Sequence, residues 1–438
     1  MNQYFVEALN TRDHPIKEAK KKTQAEYITA LTYIIEKTIS EVNFHQAETK
    51  EYISERLRLY QNKLFSNVFV GDIDEKKGAQ CVTAFTKPWR TKYCFMLVCD
   101  MALILLEESL VFGATKIIKE RLSSKRQVDI DRVSILLRND REIDKKYLPA
   151  SLLIKQFRAN KAFFSKKERR IIFTANMSAG KSTLINALIG KPIARTSQEV
   201  CTGNVCYLFN KAYEDDNIHL SVQGLNLCAT AEELHSYDWN GHISIASYFA
   251  GIGPDIPRLC IIDTPGVDAA LYKEHSRCAH NALLKDDYDT IIYIVSPTRL
   301  GTEAEKKHLQ WVVQNLQKDK IIFVLNKFDD YHDFSDSIEE SVHNFKEDLL
   351  KIGFKNPVIC PISAYFSYLL KLKMTGQALS EDEADEYALF AKRFKRSSYD
   401  LSNYYNGVQC LPTDSEEIAL SKRVGLYGFE KIIYGGGL

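Results

Sequence analysis

The stretch Ala175-Asn176-Met177-Ser178-Ala179-Gly180-Lys181-Ser182-Thr183 sets a glycine, a lysine and two hydroxyl residues side by side, between an apolar run and a helical one. A loop in that position turns its backbone N–H groups, and the positive end of the helix that follows, toward an anion. Lys181 adds a charge that reaches the β and γ groups of a nucleoside triphosphate, and the Ser182 hydroxyl can ligate Mg2+. The pattern is that of a phosphate loop with one departure: Ala175 stands where the first glycine belongs.

Three further polar groups follow apolar runs. Asp263-Thr264-Pro265-Gly266 comes 82 residues after Lys181. Asp263 can hold Mg2+ through water and the Gly266 N–H can reach a γ-phosphate, so the segment beyond reads as a switch that orders with the triphosphate. In Asn326-Lys327-Phe328-Asp329 the last carboxylate can accept from the N1–H and exocyclic amine of guanine. Adenine lacks that amine and would leave a buried carboxylate unpaired, at a cost of about 1–3 kcal/mol. Asn326 and Lys327 would brace the base and the phosphate loop. Ser363-Ala364 is placed where a loop's backbone contacts guanine. The expected ligands are therefore GTP or GDP with Mg2+, the metal being held by Ser182, Asp263 and a switch threonine. Thr202, in Val200-Cys-Thr-Gly-Asn204, is the choice for that threonine and Thr196 its rival.

The elements that must carry these groups are legible around them. Arg170–Ala175, Arg258–Asp263, Thr290–Ser296, Lys320–Asn326 and Pro357–Pro361 read as buried parallel strands separated by helices. Alternation of that kind gives a doubly wound sheet with functional loops at the strands' C-terminal ends. Before it, Leu31, Ile34, Ile35 and Ile39, and again Ile53, Leu57, Tyr60 and Leu64, make single-faced helical stripes with charged residues between, which predicts a bundle. Loops near Gly71–Gly78 and at Lys87-Pro88 are expected to separate its helices. The predicted fold is α/β: a P-loop GTPase domain with a mainly parallel sheet, flanked by an N-terminal helical bundle and C-terminal helices. The expected divisions are 1–167 for the bundle, 168–375 for the GTPase domain and 376–438 for a helical segment completing that domain or a neck.

Composition narrows the class. Of 438 residues, 45% are hydrophobic and 26% charged, the balance of a globular protein. Lys plus Arg is 58 against 57 acidic residues, which argues against a dedicated nucleic-acid binder. The ten cysteines include no CxxC pair and no zinc spacing, and read as reduced core thiols of a cytoplasmic protein. Cys94–Leu106 is the most apolar run, but it is too short to span a bilayer and contains Asp100, so it reads as a buried helix. Lys155, Arg158, Lys161, Lys166, Lys167, Arg169 and Arg170 form a basic run beside Phe157, Phe163 and Phe164. It reads as a solvated hinge face, with contact to a membrane surface as the alternative.

With the four motifs in order, Met177–Gly190 resembles the phosphate loop and helix of the dynamin-like GTPases, especially the bacterial and mitofusin-like branch. Thr302-Glu303-Ala304-Glu305, after Ser296-Pro297, resembles that family's segment between its second and third motifs. The resemblance covers about residues 168–365. It implies GTP hydrolysis without an exchange factor and a homodimer formed through the GTPase domain. It also implies a catalytic polar residue in the phosphate loop, here Ser178, acting with Lys181 and Thr202. Met177 stands where eukaryotic relatives often carry glutamine, so catalysis is expected either to be slow or to rely on Ser178 and backbone to position water. Arg195 and Arg299 are the candidates for an arginine finger, though each reads more readily as a surface residue. The stretch after Ser363 is too short for a long C-terminal stalk, so either the sequence is cut short or a protein partner supplies the stalk. Three functions fit: a membrane-remodelling GTPase peripheral to a membrane; a GTP-controlled switch or scaffold that recruits a protein partner and uses hydrolysis as a timer; or, given Ala175 and Met177, a binding module without useful turnover.

Overall fold

The computed structural model describes residues 3–42, 47–64, 74–194, 204–222, 224–236, 242–251, 257–267, 273–297, 300–331 and 337–435. The described residues form nine strands: β1 (Arg169–Ala175), β2 (Cys206–Asn210), β3 (Ile218–Ser221), β4 (Leu225–Ala229), β5 (Ile243–Ser247), β6 (Leu259–Asp263), β7 (Thr290–Val295), β8 (Ile321–Leu325) and β9 (Val358–Pro361). The chain divides into two compact units. One gathers residues 1–166 with 211–229 and 246–248. The other gathers 167–210, 230–245 and 249–438.

The first unit is built on the apolar run. Helix Thr91–Leu105 is buried at every position from Cys94 to Leu105. Helices Lys21–Ser40, Ala47–Leu64, Glu75–Phe85, Glu108–Lys119, Ser124–Arg138 and Ser151–Ser165 pack around it. A helix apolar on all sides is stable in water only when it is enclosed in this way. No helix among the described residues is long and apolar enough to cross a membrane. Both predicted stripes face inward: Leu31, Ile34, Ile35, Ile53, Leu57, Tyr60 and Leu64 are buried, while Ile39 is half-buried. The antiparallel hairpin β3–β4 belongs to this unit, with β4 against helix Ala47–Leu64.

The expected break at Gly71–Gly78 is corrected at its C-terminal end. Helix Glu75–Phe85 starts after Asp74, whose carboxylate accepts from Lys76 N at 3.2 Å, and so takes in Gly78. A β-carbon at Gly78 would lie 2.5 Å from the Tyr33 ring. Glycine is needed there for close approach of two helices, not for a turn.

In the second unit β1 pairs in parallel with β6 and β7, and β8 in parallel with β7 and β9, while β2 runs antiparallel to β6. The six follow one another in the order β2-β6-β1-β7-β8-β9. β7 and β8 are buried along their whole length, which explains their unbroken apolar sequence. Helix Ala364–Met374 lies on helix Lys181–Ile189, and helices Glu381–Phe394 and Glu416–Arg423 pack against it in turn. Ser363 N donates to Val424 O at 3.2 Å, and Tyr405 OH to Pro361 O at 2.8 Å, so the C-terminal residues hold the end of β9. The loops after β1, β6, β8 and β9 leave the C-terminal ends of parallel strands and fall on one edge of the sheet.

Candidate functional site

The phosphate-loop sequence leaves β1 as a tight turn, Ala179 N donating to Asn176 O at 3.4 Å, and enters helix Lys181–Ile189. Ala175 is the last residue of β1, is fully buried and has no positive φ. Its backbone makes no demand for glycine, so the departure from the usual pattern carries no strain. Gly180 is different: φ is 88°, and a β-carbon there would overlap Asn326 Nδ2. Ser178 holds φ 62° without being glycine, a conformation that costs about 1–2 kcal/mol. Its side chain is exposed, while those of Ser182 and Thr183 are half-buried in the first helical turn.

The loops are tied to one another through named atoms. Lys181 Nζ donates to Asp263 Oδ1. Val267 N donates to Ala175 O at 2.9 Å, and Thr264 Oγ1 to Phe173 O at 2.7 Å. A β-carbon on Gly266 would come within 3.0 Å of Met177 Cγ, so Met177 packs against the turn after β6. Asn326 joins three loops: its Nδ2 donates to Ala179 O and its Oδ1 accepts from Ala364 N, both at 2.8 Å.

Beyond Asn326, Lys327 adopts φ 76° and the short turn Phe328–Asp330 follows. Asp329 is only 7% exposed. Ser363 Oγ donates to its Oδ1 at 2.5 Å, and Arg393 Nη1 donates to its carbonyl oxygen. Burial pushes the Asp329 carboxyl above the usual value, against the opposing pull of the Ser363 hydrogen bond. The carboxylate is therefore aimed by a serine and keeps acceptor capacity for a ligand.

The structure thus brings together Asn176 to Thr183, Asp263, Gly266, Asn326, Lys327, Asp329, Ser363 and Ala364. Thr202, Thr196, Arg195 and Arg299 lie outside the described residues. Arg393 was not foreseen: it comes from the C-terminal helix Glu381–Phe394, and its only local signal is a basic residue in a last helical turn. For the expected metal, Ser182 and Asp263 offer hard oxygen donors of the kind Mg2+ takes. No group of three or more His, Cys, Asp or Glu residues that could hold a metal occurs among the described residues. The donor set fits an ion that shares its coordination with phosphate oxygens and water.

Comparison with known proteins agrees with this geometry. Residues 171–328 match the family model of the dynamin family. The probable transmembrane GTPase FZO-like, chloroplastic, of Arabidopsis thaliana is 24% identical over 278 residues, 60% of this chain. The chain spans only 26% of that relative's length. A chain of an oligomerised bacterial dynamin pair, described as sensing and tethering membranes, aligns at 17% identity with a TM-score of 0.37, covering 85% of this chain and 57% of that one. A variant of Era from Aquifex aeolicus bound to GDP·AlF4− aligns at 18% identity with a TM-score of 0.27, covering 49% and 58%. The family match runs from β1 through Phe328, across the strands that carry the phosphate loop, Asp263 and Asn326, and over that stretch the chain is similar to the dynamin family.

Proposed function

We propose that this GTPase holds GTP with the loop Asn176–Thr183, reads guanine with Asp329 and hydrolyses the γ-phosphate beside Lys181. The observation that carries the reading is the Asn326 side chain, which fixes the phosphate loop through Ala179 O and the guanine loop through Ala364 N. Lys181 and the loop N–H groups would neutralise charge growing on the β–γ bridge oxygen. Ser178, exposed at the turn, would orient the attacking water together with the carbonyl of Thr202. Ser182 and Asp263 would hold Mg2+, which when bound offsets phosphate charge. Lys327 would lie along the nucleotide, and the Gly266 N–H would meet the γ-phosphate.

Similarity to the dynamin family over residues 171–328 supports two finer readings. Turnover is activated by self-association of the GTPase domains, which excludes water from the site. Hydrolysis is coupled to the helical unit in work at a membrane surface, which this chain meets peripherally or through a partner. The bacterial dynamin pair is itself described as tethering membranes.

Phosphate release measured against protein concentration tests both the chemistry and the self-association. Lys181→Ala is expected to lose about 100-fold or more in turnover. Specific activity that rises with concentration supports dimer activation, and a flat profile removes it. Vesicle flotation with and without a non-hydrolysable GTP analogue tests the membrane reading, which fails if the protein floats in neither case.

A further inference from the structure

The segment Thr302–Glu305 matched the family in sequence but has no part in the nucleotide contacts above. In the structure it opens helix Glu303–Asn315, capped by Thr302, whose Oγ1 accepts from Glu305 N at 3.3 Å. Glu305 does not point to solvent like the other acid of that turn. It is buried, its Oε1 accepts from Tyr293 OH at 2.6 Å, and its Oε2 accepts from Asn176 Nδ2 at 2.6 Å. Tyr293 is fully buried in β7. A carboxylate brought into a core is costly unless donors meet it, so both bonds are held firmly.

Asn176 is the first residue of the phosphate loop. The loop is therefore held at two places: at Asn176 by Glu305, and at Ala179 by Asn326. Between them stand Met177 and Ser178, the latter in its left-handed conformation. A strained residue keeps such a conformation only when its surroundings fix both sides of it.

We infer that Glu305 is a positioning residue for GTP binding and hydrolysis: its buried carboxylate fixes the Asn176 side chain and, through it, the first turn of the phosphate loop. The inference rests on the reading of Asn176–Thr183 as the phosphate-binding loop. It assigns no contact between Glu305 and nucleotide.

The test measures fluorescent GDP affinity, kcat and KM for GTP, and thermal unfolding in full-length variants. Glu305→Ala leaves the Asn176 amide and the Tyr293 hydroxyl unmet, and is expected to weaken GDP binding and raise KM about tenfold. Glu305→Gln keeps the shape. Its oxygen accepts from Tyr293, and its amide donates to Asn176 Oδ1 once the Asn176 amide turns over; that oxygen is buried without a protein partner now. Glu305→Gln is therefore expected within about threefold of the parent in both constants. Tyr293→Phe removes one of the two donors and is expected to fall between them, about threefold, which carries the test should Glu305→Ala not fold.

A lowered melting temperature with unchanged GDP affinity in the folded fraction would make Glu305 structural only and overturn the inference. So would a Glu305→Gln protein as impaired as Glu305→Ala. Lys181→Ala separates the two layers. If it binds GDP normally, the phosphate-loop reading itself fails. If it fails to bind while Glu305→Ala and Tyr293→Phe bind normally, only the role of Glu305 is lost.

Discussion

Both units bury charged side chains, and Arg56 in one and Asp329 in the other show two uses of them. In the helical unit Arg56 is 0% exposed and is spent inside the protein. It donates to Leu103 O at 3.2 Å through Nε, to Tyr4 O at 3.1 Å through Nη1, and lies 3.8 Å from Glu7. Lys211 in the same unit contacts both Asp215 oxygens at 2.7 Å and Asn217 O at 3.0 Å. Burial alone would raise the Asp215 carboxyl, yet Lys211 and His219 hold it below the usual value. In the second unit burial wins at Asp329, whose carboxyl is raised. A carboxylate saturated by its own chain locks a fold together. One left short of partners is stabilised further by a ligand that supplies donors, which suits a site and costs stability.

The comparison breaks most sharply at Arg56. Arg56→Met keeps much of the side-chain bulk but leaves Glu7 without its cation and the Leu103 and Tyr4 carbonyls without their donor. The loss is expected to be about 3–5 kcal/mol, the range for breaking a buried pair from one side. Denaturant unfolding followed by tryptophan and by fluorescent GDP would show it, with the helical unit melting earlier. A loss under about 1 kcal/mol would mean that Arg56 is not a lock.

A second, smaller effect uses one histidine in each unit. Burial, then Lys211, lowers His219 to about 3; burial, then His280, lowers His308 to about 3. The unfolded chain takes up a proton at each near pH 6.5 while the folded chain does not. Stability from both is therefore complete above pH 6.5 and is lost as pH falls from there toward 3. At pH 5 each is expected to cost about 2 kcal/mol relative to pH 7. His308→Leu should shrink that pH dependence and leave the contribution of His219. An unchanged slope between pH 7 and pH 5 in the variant would show that His308 titrates normally when folded.

These charged cores were the least legible part of the sequence. The motif loops were readable because strand, turn and helix are adjacent in the chain: Gly180, Lys181, Asp263, Asn326 and Asp329 lie at or just beyond the ends of strands that the apolar runs marked. Arg56 sits among charged residues on a helix whose apolar stripe was recognised, and nothing local marks it as buried. Asp100 read as a blemish in an apolar run, yet it accepts from Tyr27 OH at 2.5 Å and lies 3.0 Å from His14 Nε2. The partners of both residues are far away in sequence. The same holds for residues 211–229, which continue from β2 but cluster with the helices, and for Arg393. The basic run after Lys155 also resolves into separate tasks. Arg158 donates to Leu136 O and Arg141 O, Arg169 to Ile433 O, and Arg170 to Asp287 O. Those arginines are held by backbone carbonyls.

The finest test of the contrast is at Asp329 itself. In the proposed reading guanine meets the ionised carboxylate, because only that form accepts both base hydrogens. The raised Asp329 value means that GDP affinity, flat at neutral pH, should fall as pH drops through a point above that of an ordinary aspartate near 4. Ser363 opposes the shift by donating to the charged form. Ser363→Ala should therefore move the midpoint further up, and should weaken GDP binding at neutral pH by about 1 kcal/mol, roughly fivefold, through a less well aimed carboxylate. The folded protein also binds the extra proton more readily than the unfolded chain, so this group's contribution to stability falls as pH rises through the same window. Binding and stability at Asp329 thus respond to pH in opposite directions, whereas at Asp215, whose carboxyl is lowered, its contribution to stability falls on acidification. A GDP-affinity profile for Ser363→Ala that overlays the parent from pH 7 to pH 4.5 would show that Ser363 only caps its helix, where its Oγ also accepts from Phe366 N at 3.3 Å.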